Sequence, residues 1–152
     1  MKIYDISQEV FGCQVYAGDP APEKELLSSM EEGGLYNLTA FRMCAHNGTH
    51  IDAPFHFIQG GKAVDFIDLD TFVGLAYVAE HHGIVSADDA ATILENAPME
   101  VHRILLGAGV VLLEGIRLAE VSEGIYFLNA APLNLSGADG SPCRAVLIAT
   151  ER

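Results

Sequence analysis

The chain has 152 residues, half of them apolar and 19% charged, the balance of one ordinary globular domain long enough to bury a core without staples. Eight basic against 21 acidic residues give a net charge of −13, which repels nucleic-acid phosphates and anionic lipid and excludes those partners. No apolar run reaches membrane-spanning length, the first ten residues do not read as a signal peptide, and three widely spaced cysteines fit reduced thiols. A cytoplasmic, small-molecule protein is the expectation.

In chain order, Met1 to Val10 reads as a short strand ending in a turn, and Tyr16-Ala-Gly-Asp-Pro20 as a turn. Glu23, Glu25, Glu31 and Glu32 form an acidic stretch that reads as a solvated face. Leu35 to Ala45 is rich in Leu, Thr, Phe and Tyr and predicts a strand. His46-Asn-Gly-Thr-His-Ile-Asp-Ala-Pro-Phe-His56 is too broken by Gly48 and Pro54 for a regular helix, and Gln59-Gly-Gly61 follows as a turn. Phe72 to Ala79 predicts a buried strand. Ser86 to Asn96 predicts a helix with Ser86 as N-cap, stopping before Pro98. His102 to Leu106 could begin a second short helix, ended by Gly107 and Gly109. Val110 to Leu113 reads as a buried strand, and Tyr126 to Leu135 and Arg144 to Ala149 as further strands. Strands outnumber helices, so the class is mixed α/β with a strand-dominated core, in a single domain over residues 1–152.

Chemistry concentrates in one place. Of six histidines, His46, His50 and His56 fall within eleven residues, with Asp52 among them. From His46 these positions lie at +4, +6 and +10. Even offsets project to one side of an extended chain. On a helix they would point to about 0°, 40°, 240° and 280° and split across faces. An extended or looped segment therefore aims four ligand-type side chains into one space. Neutral imidazole and carboxylate are the ligand set of zinc, manganese or iron. Gly48 lets backbone approach closely, Thr49 can serve as a supporting hydrogen-bond donor, and Pro54 can fix the turn that delivers His56. The competing reading is a set of polar residues on an exposed strand edge. A metal needs further donors, and His102 and Glu114, each bordering an apolar run, are the candidates. His81 and His82 are adjacent, point to opposite sides of a strand, and read as a strand terminus. There is no phosphate loop, nucleophile elbow, His-Glu-x-x-His helix or other cofactor-binding motif.

His46-Asn-Gly-Thr-His-Ile-Asp-Ala-Pro-Phe-His56 resembles the His-x-Gly-Thr-His-x-Asp-x-Pro-x-His signature of the metal-dependent cyclase family, which includes bacterial kynurenine formamidase and isatin hydrolase. Every defined position is matched. Val101-His-Arg-Ile-Leu-Leu106 with Glu114-Gly-Ile116 looks like the family's distal histidine and glutamate. Pro132-Leu-Asn-Leu-Ser-Gly-Ala-Asp-Gly-Ser-Pro-Cys-Arg144 is similar to its carboxy-terminal stretch, and Tyr16-Ala-Gly-Asp-Pro20 to its Pro-Gly-Asp-Pro turn, with Ala17 replacing proline.

The resemblance implies a swivelling β/β/α-type domain. It implies a divalent metal, zinc or manganese, held by His46, His50 and Asp52 and completed by His102 and Glu114. Asp52 would bridge if two ions bind. His56 would be the general base or acid, with a role as a further ligand alongside. The implied activity is hydrolysis of an amide-type bond of a small molecule, and the implied assembly a dimer or tetramer. One departure stands out: between the Phe72–Ala79 strand and His102 family members carry a longer segment than the Glu80–Val101 stretch found here. The loss of a layer exposes apolar surface, which strengthens the expectation of a homo-oligomer. It also opens the alternative of a shortened, catalytically weak or inactive member that acts as a metal-binding or structural oligomeric protein.

Overall fold

The structure, a computed structural model, describes residues 1–79 and 98–149. In chain order its regular elements are β1 (Lys2–Asp5), β2 (Glu23–Ser28), β3 (Leu38–Arg42), β4 (His50–Asp52), β5 (Val73–Val78), α1 (Pro98–Gly107), β6 (Leu112–Glu114), β7 (Gly124–Asn129), β8 (Gly140–Pro142) and β9 (Val146–Ala149). They make three separate antiparallel groups: a four-stranded sheet in the order β1-β9-β7-β5, a ribbon of β2 and β3, and a small sheet in the order β6-β4-β8. The strand-dominated α/β class expected from the sequence is the one observed.

The core is built from short apolar segments that meet between the sheets. Ile6, Ile51, Ala53, Val64, Phe72, Tyr126, Ala130, Ala145 and Leu147 form one buried cluster. The Tyr4 and Tyr126 rings meet at right angles, with centroids 5.8 Å apart. Alternation along β4 and its continuation decides the rest. Ile51 enters this cluster, so the neighbouring His50 and Asp52 must project from the opposite face of the strand.

The expected helix at 102–106 begins earlier, at Pro98. Proline suits a first helical turn because its missing N–H would have no partner there. The helix closes with Gly109 N–H donating to Leu106 O and Val110 N–H to Leu105 O, while Gly109 takes a left-handed φ of 79°. The expected helix at Ser86–Asn96 and the pair His81 and His82 lie outside the described residues.

β2 and β5 differ from expectation. Glu23 and Glu25 sit on β2, an exposed strand. Glu31 and Glu32 follow in a 3-10 turn whose N-cap, Ser29, accepts a hydrogen bond from Glu31 N. Solvent on both sides of the ribbon leaves no apolar alternation to read. β5 is present where predicted but is only half buried. Val73 and Val78 pack on the core, whereas Leu75 and Tyr77 are 80% and 63% exposed. Leu75 pairs in register with Phe127, Phe127 with Ile148, and Ile148 with Ile3, while Tyr77 pairs with Ile125. One face of the four-stranded sheet thus carries a continuous apolar band, most of it exposed.

Candidate metal centre

β4 is central in its sheet: His50 pairs with Glu114 on β6 and Pro142 on β8, and Asp52 pairs with Leu112 and Gly140. This register brings the carboxylate of Glu114 beside His50, and α1, which precedes β6, brings in His102. His46 lies in the turn before β4. His56 ends a 3-10 turn that follows it, started by Pro54.

The entry into β4 is pinned by backbone-directed bonds. Thr49 Oγ1 accepts from Gln8 N at 2.8 Å and donates to Gly115 O at 2.8 Å, and Gln8 Nε2 donates to the same carbonyl at 2.9 Å. Gly115, at a φ of 66°, crosses so close to Gly48 that a Cβ there would lie 2.1 Å from Gly48 O. Only glycine permits that crossing.

The side chains converge as follows. His50 Nδ1 lies 2.9 Å from Gly48 O, an acceptor only, so Nδ1 carries the proton and Nε2 is the lone-pair atom. That Nε2 is 3.3 Å from Asp52 Oδ1 and 3.9 Å from Glu114 Oε2. His102 Nε2 is 2.9 Å from Glu114 Oε1 and 3.5 Å from Asp52 Oδ2. On the other side of Asp52, His46 Nδ1 is 2.7 Å from Oδ1. The His46 and His56 rings stack with centroids 3.9 Å apart.

Two donor groups result, His50–Asp52–Glu114 and His46–Asp52–His56, each with its donor atoms within 4.8 Å of one another, and Asp52 belongs to both. The other five residues singled out in the sequence therefore gather around the Asp52 carboxylate. The donor set suits a divalent cation. Donors placed tetrahedrally about 2.05 Å from an ion lie about 3.3 Å apart. The four distances that join the Nε2 atoms of His50 and His102 to the nearer carboxylate oxygens of Asp52 and Glu114 run from 2.9 to 3.9 Å. Two carboxylates match the double positive charge.

Asp52 is 1% exposed. Burial alone would favour its neutral form, but the hydrogen bond from His46 Nδ1 and the neighbouring His50 ring outweigh that and hold the carboxyl far below the usual range. For His46, burial disfavours the charged ring, and the bonds to Asp52 and Asp139 more than compensate, raising its pKa above the ordinary 6.5.

Asp139 is the site residue that sequence reasoning passed over. Its Oδ2 lies 3.0 Å from His46 Nε2 and 3.2 Å from His56 Nδ1. It precedes β8, and its carbonyl accepts from Ala53 N at 3.0 Å. Its neighbour Gly140 makes the approach possible, since a Cβ there would stand 2.5 Å from His46 Cε1 and 2.7 Å from Ile51 O. The available signal was an acid inside the carboxy-terminal motif, next to a glycine. The cysteines play no part in the cluster: all three are free, and burial pushes the Cys143 thiol up to about 11. A cavity of about 540 Å³ beside Gln8, Asn47, Thr49 and Arg117 is lined by none of the six donors.

Comparison with known proteins places this arrangement. The Cyclase family model matches residues 4–114. Kynurenine formamidase of Bacillus thuringiensis (strain Al Hakam) is 30% identical over 199 aligned positions, covering 94% of this chain and 95% of the relative. That of Salinibacter ruber is 30% identical over 206, covering 97% of each. Both alignments are longer than the 152-residue chain, so the relatives carry residues that have no counterpart here. Among solved structures, one described as a potential metal-dependent hydrolase with cyclase activity superposes with a TM-score of 0.80 at 26% identity, covering 99% of both chains. Isatin hydrolase A from Ralstonia solanacearum shares the fold, with a TM-score of 0.75 at 20% identity over 97% of this chain and 92% of its own. With the family model spanning most of its length and formamidases matching nearly all of it, this chain belongs to the Cyclase family.

Proposed function

We propose that the protein is a metal-dependent hydrolase that cleaves an amide-type bond of a small molecule, with the formamide of an aryl amine as the leading substrate class and a cyclic amide of the isatin type as the second. The supporting observation is the convergence of His50 Nε2, His102 Nε2, Asp52 and Glu114 at ligand-like spacing, with Asp52 shared by a second group containing His46 and His56. The names of the formamidase relatives supply the substrate class. Zinc suits the imidazole and carboxylate set best, with manganese the alternative, and the two donor groups that share Asp52 would hold one ion or two.

When bound, the cation supplies Lewis acidity toward a carbonyl and lowers the pKa of water from about 15.7 toward about 7. The protein does the remainder. His50 and His102 would hold the ion through their Nε2 atoms. Asp52 and Glu114 balance its charge. His56 takes a proton from the attacking water and returns it to the departing nitrogen. An imidazole, with an unperturbed pKa near about 6.5, can do both at neutral pH.

The test is His56→Ala on zinc-loaded protein, assayed with N-formylkynurenine, isatin and a simple aryl formamide while zinc per chain is measured. The expected result is retained zinc with turnover reduced by about 10²- to 10⁴-fold. Parallel loss of zinc and turnover would make His56 a ligand instead.

A second reading rests on the residues of the relatives that this chain lacks and on the exposed apolar band of the four-stranded sheet. In it the shortened chain keeps the metal and serves as a metal-binding or structural oligomer. Bound zinc without turnover across the panel would favour it. Under either reading residues 1–152 act as one domain, assembled as a homo-oligomer. Among the described residues no helix is long and apolar enough to cross a membrane. The three free thiols favour a cytoplasmic setting.

A further inference from the structure

We infer that Asp139 is a positioning residue for His56: its carboxylate accepts a hydrogen bond from Nδ1–H and so presents the other ring nitrogen, Nε2, as the proton-accepting atom. The inference rests on the role given to His56 above.

Three observations carry it. First, Asp139 Oδ2 lies 3.2 Å from His56 Nδ1. An ionised carboxylate can only accept, so Nδ1 must donate, and the lone pair of the neutral ring is left on Nε2. Second, His56 is held on its other sides. His46 stacks on it at 3.9 Å, and Phe57 meets it edge-on at 4.4 Å. Asp139 also binds His46 Nε2 at 3.0 Å, so one oxygen ties both stacked rings. Third, the carboxylate stands on fixed backbone. Asp139 O accepts from Ala53 N, Ala138 O accepts from Val64 N at 2.9 Å, and Gly137 N donates to Asp65 Oδ1 at 3.1 Å. The next residue, Gly140, is already paired with Asp52 on β4.

Without Asp139 a neutral His56 populates both tautomers and gains ring freedom. Only part of the population is then competent. Loss of such a supporting partner typically costs about 10- to 100-fold in activity or metal affinity.

The experiment uses the zinc-loaded full chain, as wild type, Asp139→Ala and the isosteric Asp139→Asn. It measures zinc per chain, kcat and KM on an aryl formamide, and the protonation pattern of the His56 ring by long-range ¹H–¹⁵N correlation, with His56→Gln for assignment. The expected results are Nδ1–H at His56 in the wild type and appearance of the Nε2–H form in Asp139→Ala. Zinc per chain should be unchanged, and kcat should fall by about 10- to 100-fold with KM little altered. Nε2–H in the wild type overturns the inference. So does an Asp139→Ala protein with unchanged tautomer, or one that loses zinc in step with kcat, since Asp139 would then serve the ion through His46. If the wild type binds zinc but hydrolyses none of the panel, the hydrolase reading fails separately, and the ring spectra still decide the role of Asp139.

Discussion

Replacing Asp52 with asparagine tests the centre at its most connected point. The side chain is 1% exposed, and its Oδ1 sits 2.7 Å from His46 Nδ1. Asparagine keeps the volume and one acceptor oxygen but removes the charge. Breaking a buried pair by removing one partner costs about 3–5 kcal/mol, and the near-isosteric change belongs at the lower end. One kcal/mol moves the melting temperature of a chain this size by about 2–4 °C, so the metal-free variant should melt about 6–12 °C below wild type. The pH dependence fixes the sign. The Asp52 pKa is depressed in the folded state, so its contribution is present above its ordinary value of 3.8 and is lost as pH falls through the folded value. The His46 pKa is raised, so its contribution is complete below 6.5 and is lost as pH rises through the folded value. Both are in force between 3.8 and 6.5. The gap between chelator-treated wild type and Asp52→Asn should therefore be widest near pH 5–6 and narrow as His46 deprotonates. Thermal melts from pH 5 to 9 measure it. Zinc should raise the melting temperature of the wild type far more than that of the variant, because the lost carboxylate serves both donor groups. A gap below about 2 °C, or one that does not change with pH, would refute the coupling of Asp52 to a charged His46.

Gly140→Ala is expected to cost about 1–3 kcal/mol and to weaken zinc binding, because its methyl group must displace His46 or part β8 from β4. Thermal melts and zinc titration read this, and wild-type behaviour in both would mean that β8 does not abut His46. The apolar band on the four-stranded sheet predicts self-association. Light scattering on the wild type should give a multiple of the monomer mass, Leu75→Lys should reduce it, and an unchanged mass would remove this face from the interface.

The histidine cluster was legible because its residues are close in sequence and chemically unlike their neighbours. The reason offered by the even spacing holds for only part of it. His50 and Asp52 do share a face of β4, but His46 and His56 arrive from turns on either side, through Gly48 and Pro54 rather than by strand alternation. β8 could not be read as a strand. It is Gly-Ser-Pro, and its pairing is imposed by β4 rather than by propensity. β2 was hidden for the opposite reason, since both its faces meet solvent. Asp139 lay in a motif already noted, yet an acid in a loop carries no periodicity. Only the long-range pairing of β4 with β8 reveals where its carboxylate goes.

That pairing has a consequence for synthesis. β4 is three residues long, and its two hydrogen-bonded neighbours lie about sixty and ninety positions downstream. The ribosome delivers the His46–His56 stretch well before residues 112–114 and 140–142 exist to flank it. Such high contact order makes the central sheet a late event in folding. Until residues 140–142 have emerged, the nascent chain can offer the cell's free zinc only a loose cluster of histidines.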